Sequence, residues 1–364
     1  MWMQLTRAMS AAFAVLVVAR SAGAEPLARI DSRSSMYQDT DRTNIVTSNV
    51  AARGAPSDHI GVEARYLVDV ITSASVDVIT AATGAFHEIR HEAEAGASWR
   101  DDSRKAAASY IYSTEHDWQS HTGNASFQQD VVRHDVTFKI AGTVVDNDVG
   151  RANDPTFHRR LTVVGGTSGF TFVVGRDDLI DVGYTLSYLG GYQASPYRFV
   201  AFHGASGSPI LLNEPETDPA RRLRHAVTVR WNHHLFTDTA IRSHVRGYAD
   251  DWGVASVTAG TEYVVGFGPV ETGLFVRGYA QRHADFYAAD YAQPMHYMTA
   301  DRELSSFVDA FGGTRFGWRR ARIGVLEDVH LEAKATGFAF RFFDFPRLRE
   351  RSGVIGEIAF GVAF

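Results

Sequence analysis

Hydrophobic and polar residues alternate along most of the chain. Between residues 59 and 71 one set of alternate positions is largely hydrophobic, as at Tyr66, and the other carries charged residues such as Arg65. A period of two is that of a β-strand, whose successive side chains point to opposite faces. The same alternation recurs from 224 to 234 and from 240 to 250. The pattern therefore predicts an all-β protein.

Sixteen segments have a pattern that predicts a strand. They are residues 30–38, 44–53, 59–71, 85–98, 105–116, 127–145, 157–165, 168–176, 179–193, 222–236, 239–250, 254–267, 269–283, 303–318, 329–343 and 353–364. The stretches 194–221 and 284–302 are predicted to be loops, and four prolines mark the first of them.

Two architectures fit this alternation. One is a soluble protein, either a β-sandwich or a β-helix, and the other is a transmembrane barrel; the residues of the polar face distinguish them. Within 85–98, one face carries Glu88, Arg90, Glu92 and Glu94. Opposite charges crowded in a barrel lumen can satisfy one another across strands, whereas lipid would not tolerate them. We expect a closed antiparallel transmembrane β-barrel of about 16 strands, and 12 to 16 are acceptable because bacterial barrels have even strand numbers.

The end of the chain also favours a barrel. Ile358, Phe360 and the terminal Phe364 share one face of the last predicted strand, with Glu357 on the other. This segment resembles the closing strand of bacterial outer-membrane barrels, which the barrel-assembly machinery reads. The alternative, an exposed edge strand of a soluble protein, would favour aggregation. We expect Phe364 to contact the assembly machinery, and the outer surface to contact outer-membrane lipid and lipopolysaccharide.

The first residues have the pattern of a targeting segment. Arg7 precedes an apolar run over 11–19, and small residues lead to a predicted cleavage site after Ala24. We expect a signal peptide over residues 1–24, which is removed on export, and a single barrel domain over 25–364. Later in the chain no apolar run approaches the ~18 residues of a membrane helix.

Composition narrows the chemistry. The chain has 364 residues and no cysteine, which excludes disulfides, thiol nucleophiles and cysteine-ligated metals. Its 36 basic and 42 acidic residues give a formal charge of −6, so no basic surface for nucleic acid is expected. We expect no nucleic-acid partner.

Several short motifs are similar to those of one bacterial family. They are Tyr37–Arg42, Tyr66–Thr83, Glu88–Arg90 followed by Glu92, Ser113–Trp118, Ser195–Arg198, Pro215–Glu216 with Arg222 and Arg224, Asp250–Gly253, Arg277–Tyr279, Ala284–Tyr287 and Asp301–Ser305. Together they resemble the uncharacterised family catalogued as domain of unknown function 3570. His116 and Trp118 depart from its pattern, where a small residue and Tyr are expected. The resemblance implies an outer-membrane barrel in an exporting bacterium and no established activity.

Charged residues on the polar faces are the candidates for a functional site. They are Glu63, Arg65, Asp69, Asp77, Glu88, Arg90, Glu92, Arg224, Arg230, Arg242, Arg246, Asp250 and Arg277. Arginines facing acidic residues across a water-filled lumen would select small charged solutes by size and sign. The alternative is that these residues only satisfy one another structurally.

Calcium is a weaker possibility. Asp39 and Asp41 lie near the first strand, and Asp146 and Asp148 precede Gly150, a spacing that can place carboxylate oxygens in a turn. Neither segment has the complete ligand series ending in a bidentate Glu, and solvated turns explain both equally well. No other cofactor and no catalytic residue is expected.

Two classes of function remain open. The first is a channel or transporter for small polar or charged solutes, with an Arg- and acid-lined lumen. The second is a non-conducting structural or docking barrel that binds a periplasmic or extracellular partner through its loops. An enzyme ranks third. An open polar path would favour a channel, whereas a plug formed by 194–221 and 284–302 would favour docking.

Overall fold

The computed structural model describes residues 28–73, 86–132, 135–152, 154–203 and 209–364. The predicted signal peptide and Asp77 lie outside the described residues. The strands are β1 (Ala28–Asp39), β2 (Thr43–Ser57), β3 (Ile60–Ser73), β4 (Phe86–Arg100), β5 (Arg104–Thr114), β6 (Trp118–Val132), β7 (Val136–Val149), β8 (Arg159–Val174), β9 (Asp178–Gly191), β10 (Phe199–His203), β11 (Pro209–Pro215), β12 (Arg221–Phe236), β13 (Thr239–Asp250), β14 (Ala255–Phe267), β15 (Val270–Gln281), β16 (Phe307–Ile323), β17 (Leu326–Phe342) and β18 (Glu350–Ala363). One 3₁₀ turn spans Arg302–Leu304.

Within the described ranges, no helix is long and apolar enough to cross a membrane.

Sixteen of the strands close into a single antiparallel barrel. The order around the barrel is β1 to β9, then β12 to β18, and β18 returns to β1. Strands β10 and β11 form a separate two-stranded sheet in the connection between β9 and β12. The predicted closed 16-stranded fold is therefore confirmed.

The first and last strands form the closing seam. Arg29 is paired with Ala363, and the register continues to Asp39 opposite Gly353. Beyond the strand end, the Phe364 amide donates to the Ala28 carbonyl at 3.0 Å and the Ala28 amide donates to Phe364 at 3.2 Å. The C-terminal segment thus closes the barrel as its sequence predicts, and closure removes the unpaired edges that an open sheet would present.

The two faces of the barrel wall separate by polarity. On β3, Val62 and Tyr66 are 45% and 40% exposed on the outer surface, whereas Arg65 and Asp69 form ion pairs on the inner one. The same division holds on β12 and β13, as the alternation predicts. The apolar outer face suits lipid, and the charged inner face suits a water-filled lumen.

The two ends of the barrel differ in the length of their connections. Turns of two or three residues join the strands at the end that carries Ala28 and Phe364. At the other end two connections, 40–42 and 115–117, have three residues, and the remaining ones are longer. Short turns are typical of the periplasmic side and long loops of the extracellular side. The two longest connections, L5 (residues 192–220) and L7 (residues 282–306), are therefore extracellular.

The stretch 194–221, predicted to be a loop, contains β10 and β11, which pair only with each other. Two predicted strand boundaries are also wrong, and these two errors cancel in the count of barrel strands. The single predicted strand 127–145 is in fact the adjacent ends of β6 and β7, which turn back on each other near Asp135. The two predicted strands 157–165 and 168–176 are one continuous strand, β8.

Candidate functional site in the barrel lumen

The lumen has an acidic wall on β3, β4 and the loop after β5. Arg65 Nη2 lies 2.7 Å from Glu92 Oε1 and 2.8 Å from Glu94 Oε2. Arg90 pairs with the buried Asp69. The charged members of this wall are Asp69, Glu88, Glu92, Glu94, Glu115 and Asp117, with Arg65 and Arg90. This wall thus contains six carboxylates and only two arginines.

At the extracellular end of this wall, three carboxyl groups gather. Glu88, Glu115 and Asp117 each place an oxygen within 4.8 Å of the others, and they are the one such group of possible metal ligands among the described residues. Burial raises the pKa of Glu115, and the nearby Arg90 opposes that change. The lumen candidates predicted from sequence omitted Glu115 and Asp117, which the structure places in the turn between β5 and β6.

The opposite wall, on β12 to β18, is basic. Arg222 donates to Asp250 at 2.5 Å, and Arg277 donates to Asp309 at 2.9 Å. Three further arginines of this wall have no carboxylate within 4.0 Å in the part of the chain that the structure describes. They are Arg224, Arg246 and Arg351. In the extracellular half of this wall, five arginines thus accompany two carboxylates.

Phenylalanine rings line the same basic wall. The Arg277 guanidinium lies 4.9 Å from the centre of the Phe311 ring, and the Arg351 guanidinium lies 4.3 Å from that of Phe340. Stacking on an aromatic face attracts a cation through the ring quadrupole. Arg351 and the phenylalanines were not predicted as lumen residues. The signal that could have identified Phe338, Phe340 and Phe342 is their spacing of two.

The two walls face each other across the barrel. Strand β4 lies at the middle of the acidic wall, and β15 lies midway along the basic wall. In a ring of 16 strands these two are seven places apart in one direction and nine in the other, so the walls lie nearly opposite each other. Opposite net charges on opposite walls produce an electric field across the lumen.

The remaining predicted lumen residues lie in ion pairs in the middle and the periplasmic half of the barrel. The pairs are Glu63 with Arg53, Arg230 with Asp181 and Arg242 with Glu262. Because each of these charges has an opposite charge close by, this part of the lumen is nearly balanced. The imbalance is confined to the extracellular half.

The calcium candidates lie against protein donors. Asp39 accepts hydrogen bonds from the Tyr37 hydroxyl at 2.7 Å and from the Thr43 amide at 2.9 Å. Asp41 pairs with Arg302. Asp146 holds Arg160 through both of its carboxylate oxygens, and Asp148 lies 3.9 Å from His158. Calcium binding stays a prediction.

Above the lumen, L5 and L7 pack together into an extracellular cap. Val200 and Phe202 of the β10–β11 hairpin pack with Tyr291, Met298 and Ala300 of L7 in one buried cluster. The Thr217 amide donates to the Met298 carbonyl at 3.0 Å. The two long loops therefore form one unit, which we call the cap.

The cap is tied to the neighbouring loops around the barrel mouth. Tyr197 of L5 donates to Asp117 in the loop after β5, and it accepts from the Ala152 amide in the loop after β7. Arg302 of L7 pairs with Asp41, beside β1. These contacts link positions on several sides of the mouth.

A buried charge cluster joins the two halves of the cap. Glu216 is fully buried and accepts from the Thr299 hydroxyl and the Ala300 amide, each at 2.9 Å. Arg198 bridges Glu216 at 3.3 Å and Asp301 at 2.7 Å. Burial and the nearby Glu216 and Asp301 carboxylates raise the pKa of Asp218 to about 7.

The fold is similar to that of solved outer-membrane proteins. A bacterial polysaccharide outer membrane secretin aligns with a TM-score of 0.52 and 10% identity, covering 94% of this chain and 99% of that one. The siderophore receptor PirA from Pseudomonas aeruginosa aligns with a TM-score of 0.47 and 10% identity over 91% of this chain. The chain covers only 61% of PirA. At this identity, the likeness concerns the fold alone.

A short segment also resembles a curated sequence. Over 78 residues the chain is 33% identical to one subunit of the glutamyl-tRNA(Gln) amidotransferase of Leptospira interrogans, which is 21% of this chain and 16% of that protein. So small a share of either protein gives no information about activity.

The family comparison agrees with the motifs quoted from the sequence. The family described as "Protein of unknown function (DUF3570)" matches residues 151–332. The motifs at 195–198, 215–224, 250–253, 277–279, 284–287 and 301–305 lie inside that range, and those between 37 and 118 lie before it. The chain is an outer-membrane β-barrel and belongs to the DUF3570 family.

Proposed function

We propose that this barrel is a channel for small charged solutes and that its lumen charges are the filter. The observation that carries the proposal is the segregation of charge between the acidic and basic walls. Charges that served only to neutralise one another would mix along each wall, as they do nearer the periplasm. Opposed walls instead orient a dipolar solute and hold the two ends of a zwitterion on opposite sides.

The size of the barrel supports a conducting role. Eight strands leave an interior just wide enough for side chains, whereas barrels of 16 strands leave room for an aqueous path. The present ring has 16 strands, and its charged side chains pair mainly with strands on the same side of the lumen. Water and solute then have room between the walls.

The test is single-channel conductance of the signal-free protein, refolded and reconstituted in planar bilayers under a salt gradient. The reversal potential reports ion selectivity. The double variant Arg224→Gln, Arg246→Gln removes two cations that lack a carboxylate partner within the described chain. We expect it to conduct and to shift selectivity toward cations.

Arg341→Gln is the matched control, because it removes the same charge from the outer face of β17 near the same end of the barrel. It should leave the reversal potential unchanged. Equal selectivity of all three proteins would refute a charge-based filter.

Docking through the loops is the second candidate, and the cap is the observation that favours it. L5 and L7 form a packed surface at the extracellular mouth, and they share one buried cluster. A second buried cluster joins L7 to Trp252 and Val254 in the connection between β13 and β14. A barrel that is folded, as judged by heat-modifiable migration in gels, but electrically silent would exclude the channel. The next experiment would then be a search for binding partners of the cap. No residue arrangement within the described ranges supports an enzyme over either candidate.

A further inference from the structure

We infer that the extracellular half of the lumen contains a binding site for small aromatic carboxylates. The inference rests on the proposed channel, because it names the solute class that the channel would take. The site is the arginine–phenylalanine cluster, defined as Arg277, Arg351, Phe311, Phe338 and Phe340.

The strand register assembles this cluster. Side chains directly opposite one another on neighbouring antiparallel strands lie on the same face. Tyr279 on β15 is opposite Asp309 on β16, which is opposite Phe340 on β17, which is opposite Arg351 on β18. In the adjacent row, Arg277 is opposite Phe311 and Phe311 is opposite Phe338. Two rows of inward side chains therefore lie side by side.

The three phenylalanines form a compact apolar floor. Their ring centres are 5.2 Å apart for Phe311 and Phe338, and 5.8 Å apart for each of the other two pairs. These separations fall in the range in which aromatic rings pack favourably in stacked or edge-on geometry. Phe340 is only partly buried, so its ring can meet a solute in the lumen.

The two arginines supply an excess of positive charge at the edge of this floor. Arg277 pairs with Asp309, whereas Arg351 has neither a hydrogen bond nor an ion pair to any described residue, and its Nε is buried. Arg351 is only 9% exposed. The Asp309 carboxylate interacts with Arg351 only at longer range. A buried guanidinium with no carboxylate in contact is costly, and stacking on Phe340 compensates for only part of that cost.

The geometry selects the class of ligand. A guanidinium that stacks on a ring through its face keeps its N–H groups available in its own plane, and this fork matches a carboxylate. A ligand carboxylate would give Arg351 the direct ion pair that it lacks among the described residues, and an attached aromatic ring could pack against the phenylalanine floor. Arg277, whose side chain is 32% exposed, faces the same space and favours an anion there.

Calorimetric titration of the purified full barrel in detergent tests the site with three probes: benzoate, acetate and benzylammonium. We expect benzoate to bind about tenfold more tightly than acetate, since only benzoate uses the aromatic floor. Benzylammonium, which has the ring with the opposite charge, should not bind. Equal binding of benzoate and acetate, or no binding of benzoate, would overturn the inference without any variant.

Two variants locate the site. Arg351→Gln should weaken benzoate about tenfold or more, and Phe340→Leu should weaken benzoate while leaving acetate unchanged. Arg33→Gln is the matched control, because Arg33 is an inward arginine of β1 and lies 3.9 Å from Glu332, away from the aromatic floor. Unaltered benzoate affinity in both Arg351→Gln and Phe340→Leu would place the binding elsewhere.

The outcome separates this inference from the proposed function. Benzoate binding by a barrel that does not conduct would refute the proposed channel function and support the binding site. Selective conductance without benzoate binding would support the channel and remove the aromatic carboxylate as its solute.

Discussion

Asp218, in the cap, is a carboxyl group that ionises near neutral pH. Its Oδ1 is buried and has no hydrogen-bond partner among the described residues. Burial, followed by the Glu216 and Asp301 carboxylates, raises its pKa to about 7, and Arg198 and Arg222 offset this in part. In the unfolded chain the pKa is about 3.9.

The direction of the pH effect follows from the difference between these two pKa values, because the pKa is higher in the folded cap than in the unfolded chain. Below about pH 4 Asp218 is protonated whether the cap is folded or not, and ionisation in the folded cap costs free energy as pH rises toward and through about 7. We expect the cap to be more stable at about pH 5.5 than at about pH 8. Hydrogen exchange of the L7 amides, measured at the two pH values with correction for intrinsic rates, reports this difference.

Asp218→Asn should remove that pH dependence, because an amide does not ionise. L7 protection at the higher pH should rise toward its value at the lower pH, while the β1 to β4 strands exchange as before. Identical pH dependence in the variant and the parent protein would assign the effect to other groups, with Glu216 the first to examine, since burial raises its pKa as well.

At the scale of single strands, two glycines of β18 allow a matched comparison. A Cβ on Gly353 would clash with the Gln38 carbonyl oxygen and with the Phe338 ring, whereas a Cβ on Gly356 would meet nothing within 4 Å. We expect Gly353→Ala to lower the free energy of unfolding by about 2 kcal/mol, the cost of overpacking, and Gly356→Ala to change it little. Urea unfolding in lipid vesicles measures both. Equal stability of the two variants would mean that the seam can shift to accept the methyl group.

The terminal residue separates assembly in the cell from stability of the folded barrel. The backbone of Phe364 pairs with Ala28, and a side-chain change keeps those hydrogen bonds. We expect Phe364→Ala to refold in detergent almost as well as the parent protein, but to accumulate poorly in the outer membrane, because the assembly machinery no longer finds its aromatic signal. Quantitative blotting of membrane fractions, with refolding yield as the control, checks this. Normal accumulation would remove Phe364 as the signal.

The strand boundaries show where the sequence was informative and where it was not. Alternation located most strands because one face meets lipid and the other water. It failed at Gly165 and Gly166, which favour a turn by residue type but lie inside β8, where a Cβ on Gly165 would approach Thr143 at 3.1 Å. It also missed the turn near Asp135, which no Gly, Pro or Asn announces.

For the whole molecule, the two walls make opposite predictions for substitution. Glu92→Gln with Glu94→Gln removes two charges from the acidic wall and should shift selectivity toward anions, opposite to the change expected from the basic wall. A change in lumen potential of about kT/e alters the partition of a univalent ion roughly threefold, in opposite directions for cations and anions, and therefore alters their permeability ratio roughly sevenfold. Bilayer reversal potentials measure both shifts, and shifts in the same direction would contradict opposed walls.

The lumen was only partly predictable. Charged residues on strand faces were identified because their alternation gives their direction. The segregation of these charges into two walls could not be predicted, since it depends on which strands lie across the barrel from one another. The aromatic floor was missed because Phe340 has the residue type of a lipid-facing position but points inward. An apolar residue that points into the lumen can be recognised only once the pairing register of the strands is known.

The seam between β1 and β18 has a further consequence, for the order in which the protein folds. Nearly every other strand pair joins neighbours in the chain, which can meet as local hairpins. The seam alone joins the two ends of the described barrel, and its loop-closure entropy is the largest of any pairing. We expect hairpins to form early and the seam last, so that until then both terminal strands stay adhesive and depend on periplasmic chaperones for protection.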